Sequence, residues 1–121
     1  MANILIIEED AAVRGLLEAV LQSEGHEVCS TATAWEGYSV LRQAPIEMVI
    51  ADCDMPEDDA LDIVSVVTHD FPATKGIIVL GDADECRPIQ AGPLGDAVEI
   101  VPKPIELSRF RGAVHQVLAR Q

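Results

Sequence analysis

Residues 48–56 read Met48-Val49-Ile50-Ala51-Asp52-Cys53-Asp54-Met55-Pro56. Four apolar residues run without a polar break and then meet acids and a proline. A short continuous apolar run with branched residues suits a strand buried on both faces, as in a parallel sheet. Three more stretches share the pattern: Ile4-Leu5-Ile6-Ile7, Ile77-Ile78-Val79-Leu80 and, less purely, Val98-Glu99-Ile100-Val101. His26-Glu27-Val28-Cys29-Ser30 is more mixed and reads as a strand at a sheet edge.

Helical periodicity fills the gaps. Asp10 can N-cap a helix with apolar positions Val13, Leu16, Leu17, Val20 and Leu21, and Gly25 is placed to end it. Ala34 to Gln43 forms a second helix, closed before Pro45. Leu61, Val64 and Val67, widened by Ile63 and Val66, mark a third, and Leu107, Phe110, Val114 and Val117 mark the last. Between them, Pro88, Gly92, Pro93 and Gly95 interrupt the stretch from Cys86 to Gly95, which predicts a short or distorted fourth helix. A strand–helix unit repeated five times predicts an α/β three-layer sandwich with helices on both faces of the sheet.

The chain has 121 residues, enough for one domain with a real core and too few for two. Lys and Arg number 8 against 21 Asp and Glu, a net charge of −13 that repels phosphate backbones and anionic membranes. Excess acid also serves solubility. Cys29, Cys53 and Cys86 are odd in number and lack metal-ligand spacing, which argues against a disulfide framework or zinc site and for a reducing compartment. The N-terminus has no basic region and no long apolar run, so the chain is expected to be cytoplasmic.

In open α/β sheets, ligands bind beyond the carboxyl ends of the strands. There the sequence places Glu8, Glu9 and Asp10, then Asp52, Cys53 and Asp54, then Gly81 and Asp82, then Pro102-Lys103-Pro104. The predicted fold draws Glu8, Glu9, Asp52 and Lys103 to one edge. Clustered carboxylates call for a cation, and oxygen donors without His or Cys favour a hard ion, above all Mg²⁺. A carboxylate nucleophile, a divalent metal and a lysine suit phosphoryl transfer. Plainer roles fit other residues: a cap for Asp10, a solvated loop for Glu57-Asp58-Asp59 and for Asp82, Asp84 and Glu85, and a small filler for Cys53. Trp35 and Tyr38 read as packing or surface residues, and His26, His69 and His115 lack the spacing of metal ligands.

The order Ile-Leu-Ile-Ile-Glu-Glu-Asp, Val-Ile-Ala-Asp-Cys-Asp-Met-Pro and Val-Pro-Lys-Pro resembles the receiver domain of two-component response regulators, over residues 3 to 119. The resemblance implies a single receiver domain over 1–121, with a flavodoxin-like, five-stranded parallel sheet in order 2-1-3-4-5. It implies that Asp52 accepts a phosphoryl group from a histidine kinase or phosphotransfer protein. Glu9 and Asp52 would hold Mg²⁺ directly, Glu8 would act through water, Asp54 would offer its backbone carbonyl, and Lys103 would contact the phosphoryl oxygen. Such a domain is not an enzyme beyond self-phosphorylation from small phosphodonors and slow autodephosphorylation. It binds no nucleic acid itself, needs no membrane, and in the family can form a homodimer through the fourth helix, fifth strand and last helix.

The chain also departs from the family pattern. Glu9 stands where Asp is usual, and the extra methylene displaces its carboxylate by about 1.3–1.5 Å. Gly81 replaces the hydroxyl residue after the fourth strand, Ile100 replaces the aromatic of the fifth, and Ala60 replaces a glycine after the acidic turn. Residues for chemistry are mostly kept and residues that report it are mostly lost. A second reading is therefore a pseudo-receiver that binds a partner constitutively without phosphorylation. A third is a phosphatase, because Asp52-Cys53-Asp54 resembles the Asp-x-Asp of haloacid-dehalogenase-type hydrolases. That family needs further motifs, and only 69 residues (121 − 52) follow Asp52.

Overall fold

A computed structural model describes residues 1–120. Its elements alternate strictly: β1 (Asn3–Ile7), α1 (Ala11–Ser23), β2 (Glu27–Thr31), α2 (Ala34–Gln43), β3 (Met48–Asp52), α3 (Ala60–Asp70), β4 (Gly76–Leu80), α4 (Ala83–Gln90), β5 (Val98–Val101) and α5 (Leu107–Ala119). The strands pair in parallel in the order β2-β1-β3-β4-β5, which is the expected flavodoxin-like topology. β3 and β4 are buried at every position, whereas β2, at one edge of the sheet, has none buried.

Strand side chains alternate between faces. Ile4, Ile6, Met48, Ile50, Ile78, Leu80 and Val101 pack with Leu17, Leu21, Phe110 and Val114, so this layer holds α1 and α5. Leu5, Ile7, Val49, Ala51, Ile77 and Val79 pack with residues of α2, α3 and α4 on the other face. Two regular strand faces and two helical stripes thus account for both cores.

Asp10 caps α1, its side chain accepting from Ala12 and Val13 N–H, and Gly25 follows the helix at φ +88°, a backbone that favours glycine. Leu16 departs from its expected place: it is half exposed, one residue and about 100° around the helix from the buried Leu17. Trp35 stands 75% exposed at the start of α2. No helix among the described residues is long and apolar enough to cross a membrane.

The fourth helix begins earlier than its prolines and glycines suggest, at Ala83. Asp82 and Glu85, expected in a solvated loop, instead make a capping box: Asp82 accepts from Glu85 N–H at 2.8 Å and Glu85 accepts from Asp82 N–H at 3.1 Å. Pro88 removes one helical hydrogen bond, and a 3-10 turn (Gly95–Ala97) follows. An eight-residue helix with an internal proline depends on its caps. Asp82→Ala should lower stability by about 1 kcal/mol and loosen α4 first. Urea denaturation with amide exchange of α4 reads both effects.

The run Glu57-Asp58-Asp59 also has structural duties. Asp58 accepts from Ala34 N–H at 3.0 Å, tying the loop after β3 to α2, and Asp59 caps α3 through Leu61 N–H.

Candidate functional site

Strand register assembles the carboxyl edge of the sheet. Ile7 aligns with Ala51, Asp52 with Leu80, and Leu80 with Val101. Glu8, Asp52 and Lys103 each lie two residues beyond a residue of the α1/α5 core, namely Ile6, Ile50 and Val101. Period-two alternation therefore turns their side chains toward the same side.

Lys103 Nζ donates to both Asp52 oxygens, at 2.7 and 2.8 Å. Asp54 N–H donates to Asp52 Oδ1 at 2.8 Å. Glu8 Oε1 accepts from Asp10 N–H at 2.9 Å, while Glu8 Oε2 is buried without a partner. Glu9 is exposed at the rim of the same cleft, a cavity of about 450 Å³ that Asp54 and Pro56 also line. Lys103 and the Asp54 N–H thus contact Asp52, Glu8 lies in the same cleft, and Glu9 stands outside that contact.

Only Glu8 and Asp52 are buried among the charged residues described. Burial, then the neighbouring Asp52 carboxylate, raises the Glu8 carboxyl to about 7. Burial also pushes Asp52 upward, but the neighbouring Glu8 carboxyl, the Lys103 ammonium and the bond from Asp54 N–H outweigh that and hold it below the usual carboxylate range. Desolvation pulls Lys103 down, and Asp52 more than offsets it, so the ammonium is held above its ordinary value. The proton therefore prefers Glu8, and the charge of Asp52 is matched by Lys103.

A raised acid contributes stability below its unfolded value of 4.5, and that contribution is lost as pH rises through about 7. Glu8→Gln should therefore gain on the order of 1 kcal/mol at neutral pH and nothing near pH 4. Urea curves at the two pH values measure the difference.

Among the described residues, no three His, Cys, Asp or Glu side chains converge closely enough to close a metal site. The chemistry of the donors nevertheless fits a hard cation: the unpartnered Glu8 Oε2 lies beside a second carboxylate in an open, oxygen-lined cleft.

Two contributors escaped the sequence reading. Arg14 Nη1 donates to the carbonyls of Glu8 at 2.7 Å and Glu9 at 3.3 Å, fixing the loop that carries them. A lone base one turn into α1, after three consecutive acids, was the available signal. Cys86 is the other. Cys53 and Gly81 follow Ala51 and Val79, which belong to the α2/α3/α4 face, and Cys53 Sγ lies 2.8 Å from Cys86 Sγ of α4. Burial chiefly raises both thiols and keeps them protonated. A Cβ added at Gly81 would lie 2.8 Å from Cys53 Cβ and 2.9 Å from Cys86 Sγ. Ile100 is half-buried in β5.

Comparison with known proteins places this geometry in a family. Residues 4–115 match the response regulator receiver domain, and the chain belongs to that family. It is 30% identical over 118 residues to the transcriptional regulatory protein DcuR of Shigella flexneri, covering 94% of this chain and 49% of DcuR. It is 27% identical over 117 residues to the DNA-binding transcriptional regulator NtrC of Azospirillum brasilense, covering 97% of this chain and 24% of NtrC. The chain thus spans half or less of these relatives. Its fold matches the receiver domain of the TMAO respiratory system response regulator TorR with a TM-score of 0.86 at 21% identity, covering 99% of this chain and 98% of that one. It also matches the chemotaxis response regulator CheY4 of Vibrio cholerae, with a TM-score of 0.83 at 22% identity over 97% of this chain and 98% of that one. A receiver domain of a two-component response regulator is not a conventional enzyme, and the family match leaves the hydrolase reading without support.

Proposed function

We propose that the chain is one receiver domain over residues 1–121 that relays signals by accepting a phosphoryl group on Asp52. A histidine kinase or phosphotransfer protein supplies it. An Asp52 oxygen attacks phosphorus, the bond from phosphorus to the donor imidazole breaks, and an acyl phosphate forms. The observation that carries this reading is the pair of bonds from Lys103 to a buried Asp52 carboxylate, beside Glu8. Lys103 holds Asp52 ionised and offers its ammonium to the oxygens of the incoming group.

Glu9, Asp52 and the Asp54 carbonyl would hold Mg²⁺, with Glu8 acting through water. The ion would offset the negative charge of donor and acceptor. Arg14 fixes the loop bearing Glu8 and Glu9 through their carbonyls. The domain works in the cytoplasm through protein partners, and its net charge of −13 disfavours direct nucleic-acid binding.

Intact-mass spectrometry after incubation with acetyl phosphate and Mg²⁺ tests the reading. A phosphoryl adduct is expected that is lost in Asp52→Asn and in EDTA. No adduct in folded protein, beside a reactive receiver control and after exposure to a panel of phosphorylated histidine kinases, would overturn it. The constitutive pseudo-receiver, which Gly81 and Ile100 favour, would then stand.

A further inference from the structure

The carboxylates occupy one side of the end of β3, and Cys53 points to the other. Cys53 is half-buried, Cys86 is buried in α4, and their sulfurs are 2.8 Å apart. A disulfide needs a separation of about 2.0 Å, so closing the bond asks for ~0.8 Å of movement. Gly81 keeps this space for the two side chains, because any Cβ there would strike both. The pair joins the residue after Asp52 to a short helix with an internal proline.

We propose that Cys53 and Cys86 form a reversible disulfide, oxidised by a small-molecule disulfide such as oxidised glutathione, that tethers α4 to the turn after β3. Cys53, the more accessible thiol, transiently loses to solvent the proton that burial otherwise holds on it, and attacks one glutathione sulfur. The glutathione disulfide breaks and one glutathione leaves as a thiol. Cys86 then loses its proton and attacks the Cys53 sulfur, and the second glutathione leaves. Two protein thiols are oxidised and one glutathione disulfide is reduced to two thiols, so atoms and electrons balance. The bond would fix the position of α4 whatever the state of Asp52.

Cys29 is exposed and, in wild-type protein run in parallel, serves as a measure of exposure to the oxidant. Folded Cys29→Ser protein is incubated with oxidised glutathione until Cys29 of the wild-type protein, in parallel, is fully glutathionylated. Both are quenched in acid, weighed intact and digested. The expected result for Cys29→Ser is the loss of two hydrogens, a cross-linked peptide pair bearing Cys53 and Cys86, a higher urea midpoint, and reversal of all three by dithiothreitol. Cys86→Ser should instead hold a glutathione on Cys53. Two free thiols remaining in Cys29→Ser, a persistent glutathione on Cys53 while Cys86 is present, or disulfide-linked dimers would each overturn the proposal.

Discussion

Lys103→Met should destabilise the domain by about 3 kcal/mol at neutral pH, because it leaves a buried carboxylate without its cation. The Asp52 side chain is 4% exposed and that of Lys103 30%, so solvent screens the pair only in part. The loss has a defined pH dependence. Lys103 lowers both Glu8 and Asp52, and removing it raises both acids. Raised acids stabilise the fold at low pH and lose that contribution as pH rises. The gap between wild type and variant should therefore widen from pH 4 toward pH 7, while the depressed Asp52 of the wild type keeps part of it at pH 4. Urea denaturation across that range measures it. Adding Asp52→Asn to Lys103→Met should recover part of the loss, since one of the two crowded acids is then neutral. Lys103→Met alone should also slow adduct formation with acetyl phosphate.

Gly81→Thr, which restores the hydroxyl usual in the family, should cost about 2–3 kcal/mol rather than improve the domain. The new Cβ would sit 2.8 Å from Cys53 Cβ, 2.9 Å from Cys86 Sγ and 3.2 Å from Glu85 Oε1. Glu85 can swing away, but a Cβ on the neighbouring backbone cannot. Cys86→Ala removes the sulfur and should reduce the penalty by about 1 kcal/mol, a coupling that a double-mutant cycle isolates. Purely additive losses would show that the sulfur is not what crowds position 81. The missing hydroxyl and the two cysteines thus belong to one packing arrangement.

The sheet was legible because its signal is local. Ile4–Ile7, Met48–Ala51 and Ile77–Leu80 are continuous apolar runs, and each lies within an observed strand. Strand order and the meeting of Asp52 with Lys103 came from the family resemblance and the rule for ligands at strand ends, since 51 residues separate the two. Pro88 and Gly92 are strong local signals, and α4 is short as they predict; its start at Ala83 was not legible because the capping box there uses acids that also suit a loop. Leu16 was read too strongly because helical spacing does not fix the edge of the buried stripe. The contact between Cys53 and Cys86 spans 33 residues, and no spacing rule in one sequence reveals it. Arg14 acts on backbone carbonyls, which carry no sequence signature.

The single tryptophan gives the domain a fluorescent reporter of limited range. Trp35 is 75% exposed when the chain is folded, so its emission already reflects water and changes little on denaturation. Circular dichroism is the better optical readout for the stability series. Locally the indole is well placed: the preceding residue, Ala34, donates its N–H to Asp58 on the loop that leaves Asp52. Quenching of Trp35 by a neutral quencher such as acrylamide, compared with and without Mg²⁺, should therefore track that loop while the rest of the molecule stays optically silent.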